Sequence, residues 1–472
     1  MNEAQAREII VQAGLDLVAS GLIVRTWGNI SCRIDGARFA ITPKGRAYET
    51  LPPQDIAICA IADAAAQGPA VPSSEKAMHA AIYRARDDAD FIIHTHQKYA
   101  SAVASAGIAA MTDETMGTVP VAAYGMPSTK KLARGVAAAL AQANGAILMA
   151  HHGAVCYGAD AAATFAAAQG LEDACERFLF DAYRAASGAP VGASADAPAR
   201  ASDPDDERRQ LLDYYVGAVT GDFSRATGVA GRATGAAGKV TGAVGKVTGA
   251  VGKVTDVVGK ATSAVGKAAS TIGKAASDFS PAASAVAVTR AGTTRTAAVV
   301  PRILSSRRDQ TGFVAVMADG ETTYLSSAAA TTMPVEARIH AAVYAARPDV
   351  SHIELSTDDY VKAVSLARRP LPRYLDDFAQ MLGSPMRIAA DSSPRGIVRS
   401  LRKAGGVLIP GVGALCCAAT PGDAHAVRLV TEKNAVAEVC AVLLGGSKPI
   451  PEIDCRIMHV VYQKSYSKRA AG

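Results

Sequence analysis

Three short stretches carry residue types that can jointly hold a metal ion and an anion. His94 and His96 flank Thr95. In an extended strand, residues two apart project to the same face, so both imidazoles reach toward one point. A third histidine, His152, lies in the glycine-containing turn His151-His152-Gly153. Three imidazoles with the fourth position open are the donor set of a catalytic rather than a structural metal site. Zn2+ is the natural occupant, and other divalent ions are compatible. A lone His-x-His pair says little; its weight comes from the other two stretches.

The third stretch, Ser73-Ser74-Glu75, opens a helical pattern. Unpaired N–H groups at a helix start, joined by two hydroxyls, suit a phosphate, although an ordinary N-cap uses the same residues. Asn29 in Gly28-Asn29-Ile30-Ser31 and the turn Thr42-Pro43-Lys44-Gly45 form two more donor-rich loops, with Lys44 bringing positive charge. Glu75 follows the serines directly, between the anion site and the metal. A carboxylate there is placed for proton transfer at the carbon beside a polarised carbonyl.

The elements that must position these groups follow from periodicity. Apolar positions Ile9, Ile10, Ala13 and Leu17 predict a helix over 3–20. Strands are expected at 28–34, 38–41, 55–62, 91–94 and 145–149, and helices at 73–86, 99–104 and 159–186. No strand–helix–strand rhythm and no glycine-rich dinucleotide fingerprint accompany them. The expected class is therefore α/β, a layered α/β/α or α+β domain, and not a Rossmann fold.

Composition narrows the setting. The eight cysteines are scattered, none in a Cys-x-x-Cys pair, so neither a zinc knuckle nor a disulfide framework is expected and a reducing, cytoplasmic location fits. Glu3, Arg7, Glu8 and Asp16 interrupt the N-terminal stretch where a signal peptide would be apolar. No uncharged apolar run approaches the roughly 18–20 residues that span a bilayer, so a soluble protein is expected.

The net charge of +6 is local. Eight basic residues stand against one acid, Asp256, between Arg225 and Lys274, and the rest of the chain is close to neutral. The folded parts therefore give no sign of nucleic-acid binding. Those basic residues recur every seventh position in units such as Lys239-Val240-Thr241-Gly242-Ala243-Val244-Gly245. The glycines oppose a helix at roughly 1 kcal/mol each. Residues 225–277 read as a spacer, or alternatively as a weakly amphipathic helix that docks on an anionic membrane or a protein surface. A linker precedes the repeat at 187–203, with a short helix expected over 205–219.

Beyond the repeat the first part is echoed. At one constant spacing Glu75, His79, Tyr83, Arg86, Asp88, Tyr99 and Val103 recur as Glu336, His340, Tyr344, Arg347, Asp349, Tyr360 and Val364. Gly153-Ala154 recurs as Gly413-Ala414, one residue closer. This argues for an internal duplication. Leu355, Thr357 and Val412 stand where the first part has His94, His96 and His152, and Pro334-Val335 replaces Ser73-Ser74. The expected division is a metal domain over 1–190, a repeat linker over 191–285 and a second copy without metal ligands over 286–472.

The ordered series Gly28-Asn29-Ile30-Ser31, Thr42-Pro43-Lys44-Gly45, Pro72-Ser73-Ser74-Glu75, His79, Tyr83, Arg86, His94-Thr95-His96 and His151-His152-Gly153 resembles the class II aldolase/adducin family. The likeness covers residues 5–185, and more weakly 310–445. It implies a class II aldolase-like fold in tandem, active and degenerate. By resemblance His94, His96 and His152 are zinc ligands, Glu75 is the acid/base residue, and Asn29, Gly45, Ser73 and Ser74 hold the substrate phosphate, with Lys44 among them. The implied reaction is reversible cleavage of a small phosphorylated ketose to dihydroxyacetone phosphate and an aldehyde. A homo-oligomer is implied too, with the second copy packed on the first as a neighbouring subunit would be.

Three positions depart from the family pattern. Val121 occupies the place of a tyrosine, Lys44 that of a small hydroxyl residue, and Asp113-Glu114 falls in the loop where related epimerases and dehydratases keep an acid. A sugar-phosphate epimerase or dehydratase on the same metal site is thus the alternative, and a non-catalytic adducin-like scaffold a further one. The retained histidines argue against the scaffold for the first copy.

Overall fold

The computed structural model describes residues 1–23, 27–188, 204–223, 303–326 and 333–465. The seven-residue repeat lies outside them. The described residues on either side of it belong to one compact unit.

Helix α1 (Glu3–Ser20) starts in a capping box between Asn2 and Gln5 and buries Ile10 and Leu17. It lies on one face of a nine-stranded sheet built from β1 (Gly28–Arg33), β2 (Arg38–Ile41), β3 (Ala57–Ala60), β4 (Ala66–Gln67), β5 (Phe91–Thr95), β6 (Ala110–Asp113), β7 (Gly117–Ala122), β8 (Ala146–Met149) and β9 (Gly153–Gly158). The order across the sheet is β4-β3-β2-β1-β5-β9-β8-β7-β6. All pairings are antiparallel except β7 with β8. Helices α2 (Lys76–Ala85) and α4 (Lys130–Ala139) bury Ile82, Tyr83 and Val136 against the opposite face, in a core with Phe39, Ile92 and Val155. Helices α3 (Lys98–Ala104) and α5 (Ala161–Ser187) share the α1 side, with Val103, Leu171 and Leu179 packed on Ile30 and Ile93. Alternation along β5 thus sends Ile93 to one layer and Ile92 to the other, the α/β/α arrangement expected.

The helix expected at 205–219 is present as α6 (Pro204–Thr220), with Leu211 and Tyr215 fully buried. The second copy has a six-stranded sheet: β10 (Ile303–Arg308), β11 (Gly312–Met317), β12 (Thr322–Ser326), β13 (His352–Ser356), β14 (Gly406–Ile409) and β15 (Gly413–Ala418). Its order, β12-β11-β10-β13-β15-β14, repeats β3-β2-β1-β5-β9-β8 of the first copy.

The duplication extends to buried hydrogen bonds. Ser31 Oγ lies 2.6 Å from His79 Nδ1 and 2.7 Å from the Tyr83 hydroxyl. Ser306 Oγ lies 2.6 Å from His340 Nδ1 and 2.8 Å from the Tyr344 hydroxyl. The Arg33 guanidinium donates to the carbonyls of Tyr83 and Arg86, as that of Arg308 does to Tyr344 and Arg347.

The copies differ where the first has the β6–β7 hairpin between α3 and α4. There the second copy has a helix, Asp376–Leu382, between helices Asp359–Leu366 and Pro394–Leu401. The copies join through α3, which packs on the Pro421–Leu444 helix in a common core. Tyr99 and Tyr360, equivalent in the duplication, meet edge to face at 6.3 Å. Lys98 pairs with Asp358 at 2.9 Å beside them.

Candidate metal centre

His94 is the fourth residue of β5, on the same side as Ile92, and His96 follows one residue past the strand end. The β1–β5 register sets Asn29 opposite His94 and Gly28 opposite Thr95. On the other flank, Ala154 of β9 pairs with Thr95. A side chain at Gly153 would place its Cβ 2.2 Å from the Thr95 carbonyl oxygen. Glycine there lets the 150–153 turn press against β5, bringing His152 onto His94. His151 in the same turn holds φ at +62°, uncommon for a residue with a side chain.

The three imidazoles converge. Ring centroids are 4.9 Å apart for His94 and His96, 4.8 Å for His94 and His152, and 4.5 Å for His96 and His152. His94 Nε2 is 3.1 Å from His96 Nε2, and one ligand atom from each ring falls within 4.8 Å of the others. His94 Nδ1 lies 2.8 Å from the Ala154 carbonyl oxygen, which fixes that nitrogen as the donor and leaves Nε2 its lone pair. His152 Nε2 is buried without a hydrogen-bond partner.

Glu75 completes the cluster. Helix α2 begins one residue later, so the expected helix start at Ser73 shifts to Lys76. Glu75 stands in the cap position yet makes no cap bond, and its own N–H donates to Ser73 Oγ at 3.2 Å. The freed carboxylate spans the rings, with Oε2 3.2 Å from His94 Nε2 and Oε1 3.2 Å from His152 Nε2. The Asn29 amide donates to Oε2 at 3.0 Å, and its oxygen is bonded in turn to His79 Nε2. A chain of bonds thus runs from the scaffold pair Ser31 and Tyr83 through His79 and Asn29 to the Glu75 carboxylate.

Burial raises the Glu75 carboxyl, but His94, His152 and Asn29 outweigh it and hold the group well below the usual carboxylate range. Burial likewise depresses His94, partly offset by Glu75, and depresses His96 with His152 adding to it. His152 goes the other way. Burial lowers it, yet Asp376 and Glu75 together push it up to about 10.

Asp376 belongs to the second copy, and sequence reasoning missed it. His152 Nδ1 is hydrogen-bonded to its carboxylate. Asp377 Oδ2 lies 3.4 Å from His96 Nδ1. Asp377 pairs with the Lys433 ammonium, which also donates to the His96 carbonyl at 3.1 Å. All three side chains are buried. Asp376 and Asp377 carry no signal in sequence, since they lie where the duplication's spacing no longer holds, and Lys433 falls within the spacing but has no lysine at its counterpart, Asp173.

Asn29, Lys44, Gly45, Ser73 and Ser74 all line one cleft together with Glu75, His96 and His152. Trp27, Ser128 and, from the second copy, Gln380 line it as well. Ser128, also missed, donates to Ser74 Oγ at 2.8 Å and sits just before the α4 cap residue Thr129. The Pro-Ser-Thr sequence at that helix start was the available clue. Asp113 and Glu114 do not line the cleft; Asp113 pairs with Arg177 at 3.0 Å and accepts from Thr115.

The donor set suits a divalent ion of borderline softness. The imidazoles converge with Nδ1 held from behind on His94 and His152, a bound ion would take the place of the proton that Asp376 and Glu75 favour on His152, and Glu75 stands within reach. Residues 8–179 and 304–439 both match the family described as Class II Aldolase and Adducin N-terminal domain. The chain belongs to this family and carries its domain twice.

Among individual relatives, it is 31% identical over 175 residues to a 5-deoxy-D-ribulose 1-phosphate aldolase from Bacillus thuringiensis serovar kurstaki, covering 35% of this chain and 80% of that protein. An L-fuculose-1-phosphate aldolase structure from Thermus thermophilus matches at 27% identity over 40% of this chain and 100% of that one, with a TM-score of 0.34. A sugar-phosphate aldolase structure from Thermotoga maritima matches at 20% identity over 40% and 97%, with a TM-score of 0.32. No helix among the described residues is long and apolar enough to cross a membrane.

Proposed function

We propose that this chain is a divalent-metal-dependent aldolase, using zinc, that cleaves and forms a carbon–carbon bond in a small ketose 1-phosphate. The observation that carries it is the convergence of His94, His96 and His152 beside the Glu75 carboxylate, at the end of a cleft lined by Asn29, Lys44, Gly45, Ser73 and Ser74. The aldolase from Bacillus thuringiensis supports the choice of a ketose 1-phosphate.

In this reading His94, His96 and His152 hold the ion, which when bound supplies Lewis acidity toward the substrate carbonyl and hydroxyl oxygens. Ser73 and Ser74 hydroxyls, the Asn29 amide and the Gly45 N–H bind the phosphate, and Lys44 adds charge. Glu75 is ionised at neutral pH, the form that accepts a proton. In the addition direction it takes the proton from C3 of dihydroxyacetone phosphate, that carbon attacks the aldehyde carbonyl, and the C4 alkoxide so formed takes a proton from water while Glu75 gives its own back to solvent. In cleavage the C4 hydroxyl gives its proton to solvent, the C3–C4 bond breaks with its electron pair passing to C3, the aldehyde leaves, and a proton that Glu75 has taken up from solvent passes to C3. Asn29 keeps the carboxylate aimed between the rings throughout.

The engagement of Asp113 with Arg177 favours this reading over an epimerase or dehydratase, which would use an acid from that loop. Two chains, each with two copies, would form the homo-oligomer, in the reducing cytoplasm that eight free cysteines suit. The test is metal analysis of the purified protein, followed by product analysis on a panel of ketose 1-phosphates. One ion per chain and release of dihydroxyacetone phosphate are expected. A folded protein without metal, or epimerised or dehydrated products alone, would overturn the proposal.

A further inference from the structure

The second copy has lost every counterpart of the metal ligands, yet it reaches the first copy's centre with charged, buried side chains. We infer that Asp376 and Asp377 are positioning residues for that centre, locking the imidazoles of His152 and His96 through Nδ1. This rests on the metal-centre reading above and extends it to residues of the other copy.

An imidazole that ligates through Nε2 is free to swing unless its Nδ1 is held. For His94 the hold comes from its own copy, the Ala154 carbonyl at 2.8 Å. For the other two rings it comes from the second copy. His152 Nδ1 donates to the Asp376 carboxylate, whereas His96 Nδ1 is buried without a hydrogen bond and faces Asp377 Oδ2 at 3.4 Å and Asp376 Oδ1 at 4.0 Å, a hold by charge rather than by a bond.

The carboxylates are themselves fixed. Asp377 is paired with Lys433, whose ammonium also holds the His96 carbonyl. The Asp376 N–H donates to the His151 carbonyl at 3.0 Å, and His151 Nδ1 donates to the Tyr374 carbonyl at 2.8 Å. Asn434 Oδ1 accepts from Tyr374 and Leu375 N–H, and its amide donates to the Pro372 carbonyl at 2.7 Å. Loop 372–375 and the first turn of the Asp376–Leu382 helix are thereby clamped onto the 150–153 turn that bears His152.

Two further points favour positioning over a plain domain contact. Asp376 and Asp377 are fully buried. Docking two copies is achieved at lower desolvation cost with apolar side chains than with buried carboxylates, so the acids answer to the histidines rather than to adhesion. The helix that carries them also replaces the β6–β7 hairpin of the first copy. His96, Asp376 and Asp377 do fall within ligand distance of a single cation of their own. Lys433 already places an ammonium on Asp377, the position such a cation would need.

The test is Zn2+ affinity by chelator competition on the full chain, comparing wild type with Asp376→Asn, Asp377→Asn and Asp376→Glu, the last keeping the charge but displacing it by one methylene. Asp358→Asn, which breaks the Lys98 pair elsewhere between the copies, is the control for docking. Loss of an outer partner of a ligating histidine weakens metal binding by about 10- to 100-fold. The Asp376 and Asp377 variants are expected in that range, with altered d–d bands after Co2+ substitution, and Asp358→Asn is expected to bind as wild type does. Wild-type affinity in folded Asp376 and Asp377 variants would overturn the inference and leave the proposed function standing. A wild type that binds no Zn2+ would instead overturn the function on which it rests.

Discussion

Asp376 and His152 lie 224 residues apart in the chain, yet the carboxylate of one accepts a hydrogen bond from the imidazole of the other. That bond ties a copy that has kept its histidines to a copy that has lost them. The first copy's three rings are a complete set of donors, but only one has its outer nitrogen held from within the same copy. Duplication and decay have left the second copy its sheet order and its buried Ser306–His340–Tyr344 cluster. In this arrangement side chains of both copies meet around the three imidazoles.

Replacing Glu75 by glutamine removes the proton carrier and keeps the shape. Turnover is expected to fall by about 10²- to 10⁴-fold, the range for loss of a general acid–base group. Bound metal should stay at the wild-type level, because three imidazoles remain. Steady-state kinetics beside metal analysis checks both; full turnover in the variant would remove Glu75 from the proposal.

The duplicated serines separate scaffold from site. Ser306→Ala leaves the buried His340 Nδ1 short of a partner, while the Tyr344 hydroxyl keeps its bond to the residue-306 carbonyl, and the change costs about 1–3 kcal/mol of stability. Its kinetics should be unchanged. Ser31→Ala costs a similar amount, about 1–3 kcal/mol, but here His79 also holds Asn29, and Asn29 holds Glu75. A drop in kcat is therefore expected from Ser31→Ala alone. Urea denaturation and kinetics on both variants test the asymmetry.

Gly153→Ala puts a methyl group 2.2 Å from the Thr95 carbonyl oxygen. Backbone cannot yield as a flexible side chain can, so the 150–153 turn must move away from β5, carrying His152 with it. A stability loss of about 1–3 kcal/mol is expected, with weakened metal binding. A variant as stable and as metal-loaded as wild type would show that the close approach does not set the position of His152.

Buried His340 is depressed from 6.5 to about 4. Its folded-state value lies below its unfolded value, so the unfolded chain binds the proton first. Stability attributable to the neutral ring is present above pH 6.5 and is lost as pH falls toward 4. The full loss is up to about 3 kcal/mol at 1.36 kcal/mol per pKa unit. Denaturation midpoints of the metal-free protein should fall across this window, and His340→Gln should flatten the decline. His79, depressed by burial to about 4, adds a decline in the same direction.

Much of the first copy was readable from periodicity. Ile9, Ile10, Ala13 and Leu17 marked α1 because a helix buries one stripe, and the His-x-His pair marked a strand end because strands alternate. Glu75 was legible as chemistry and misplaced as structure, since the serine-rich start looked like a cap while the helix begins after it. The β6–β7 hairpin and α4 went unassigned; the α4 stretch is so rich in alanine and basic residues that only Leu132 and Val136 are buried along it. Asp376, Asp377 and Lys433 left no trace. Contacts between copies have no local period, and the motif echo that exposed the duplication fails where the second copy exchanged a hairpin for a helix.

X-ray absorption at the zinc edge, on protein purified without added chelator, examines the centre most directly. One zinc per chain is expected, with three imidazole nitrogens at about 2.0–2.1 Å and the remaining coordination from oxygen. Loss of one imidazole is expected in the spectrum of each of His94→Ala, His96→Ala and His152→Ala. A first shell that contains sulfur, or one unchanged in those variants, would contradict a three-histidine centre.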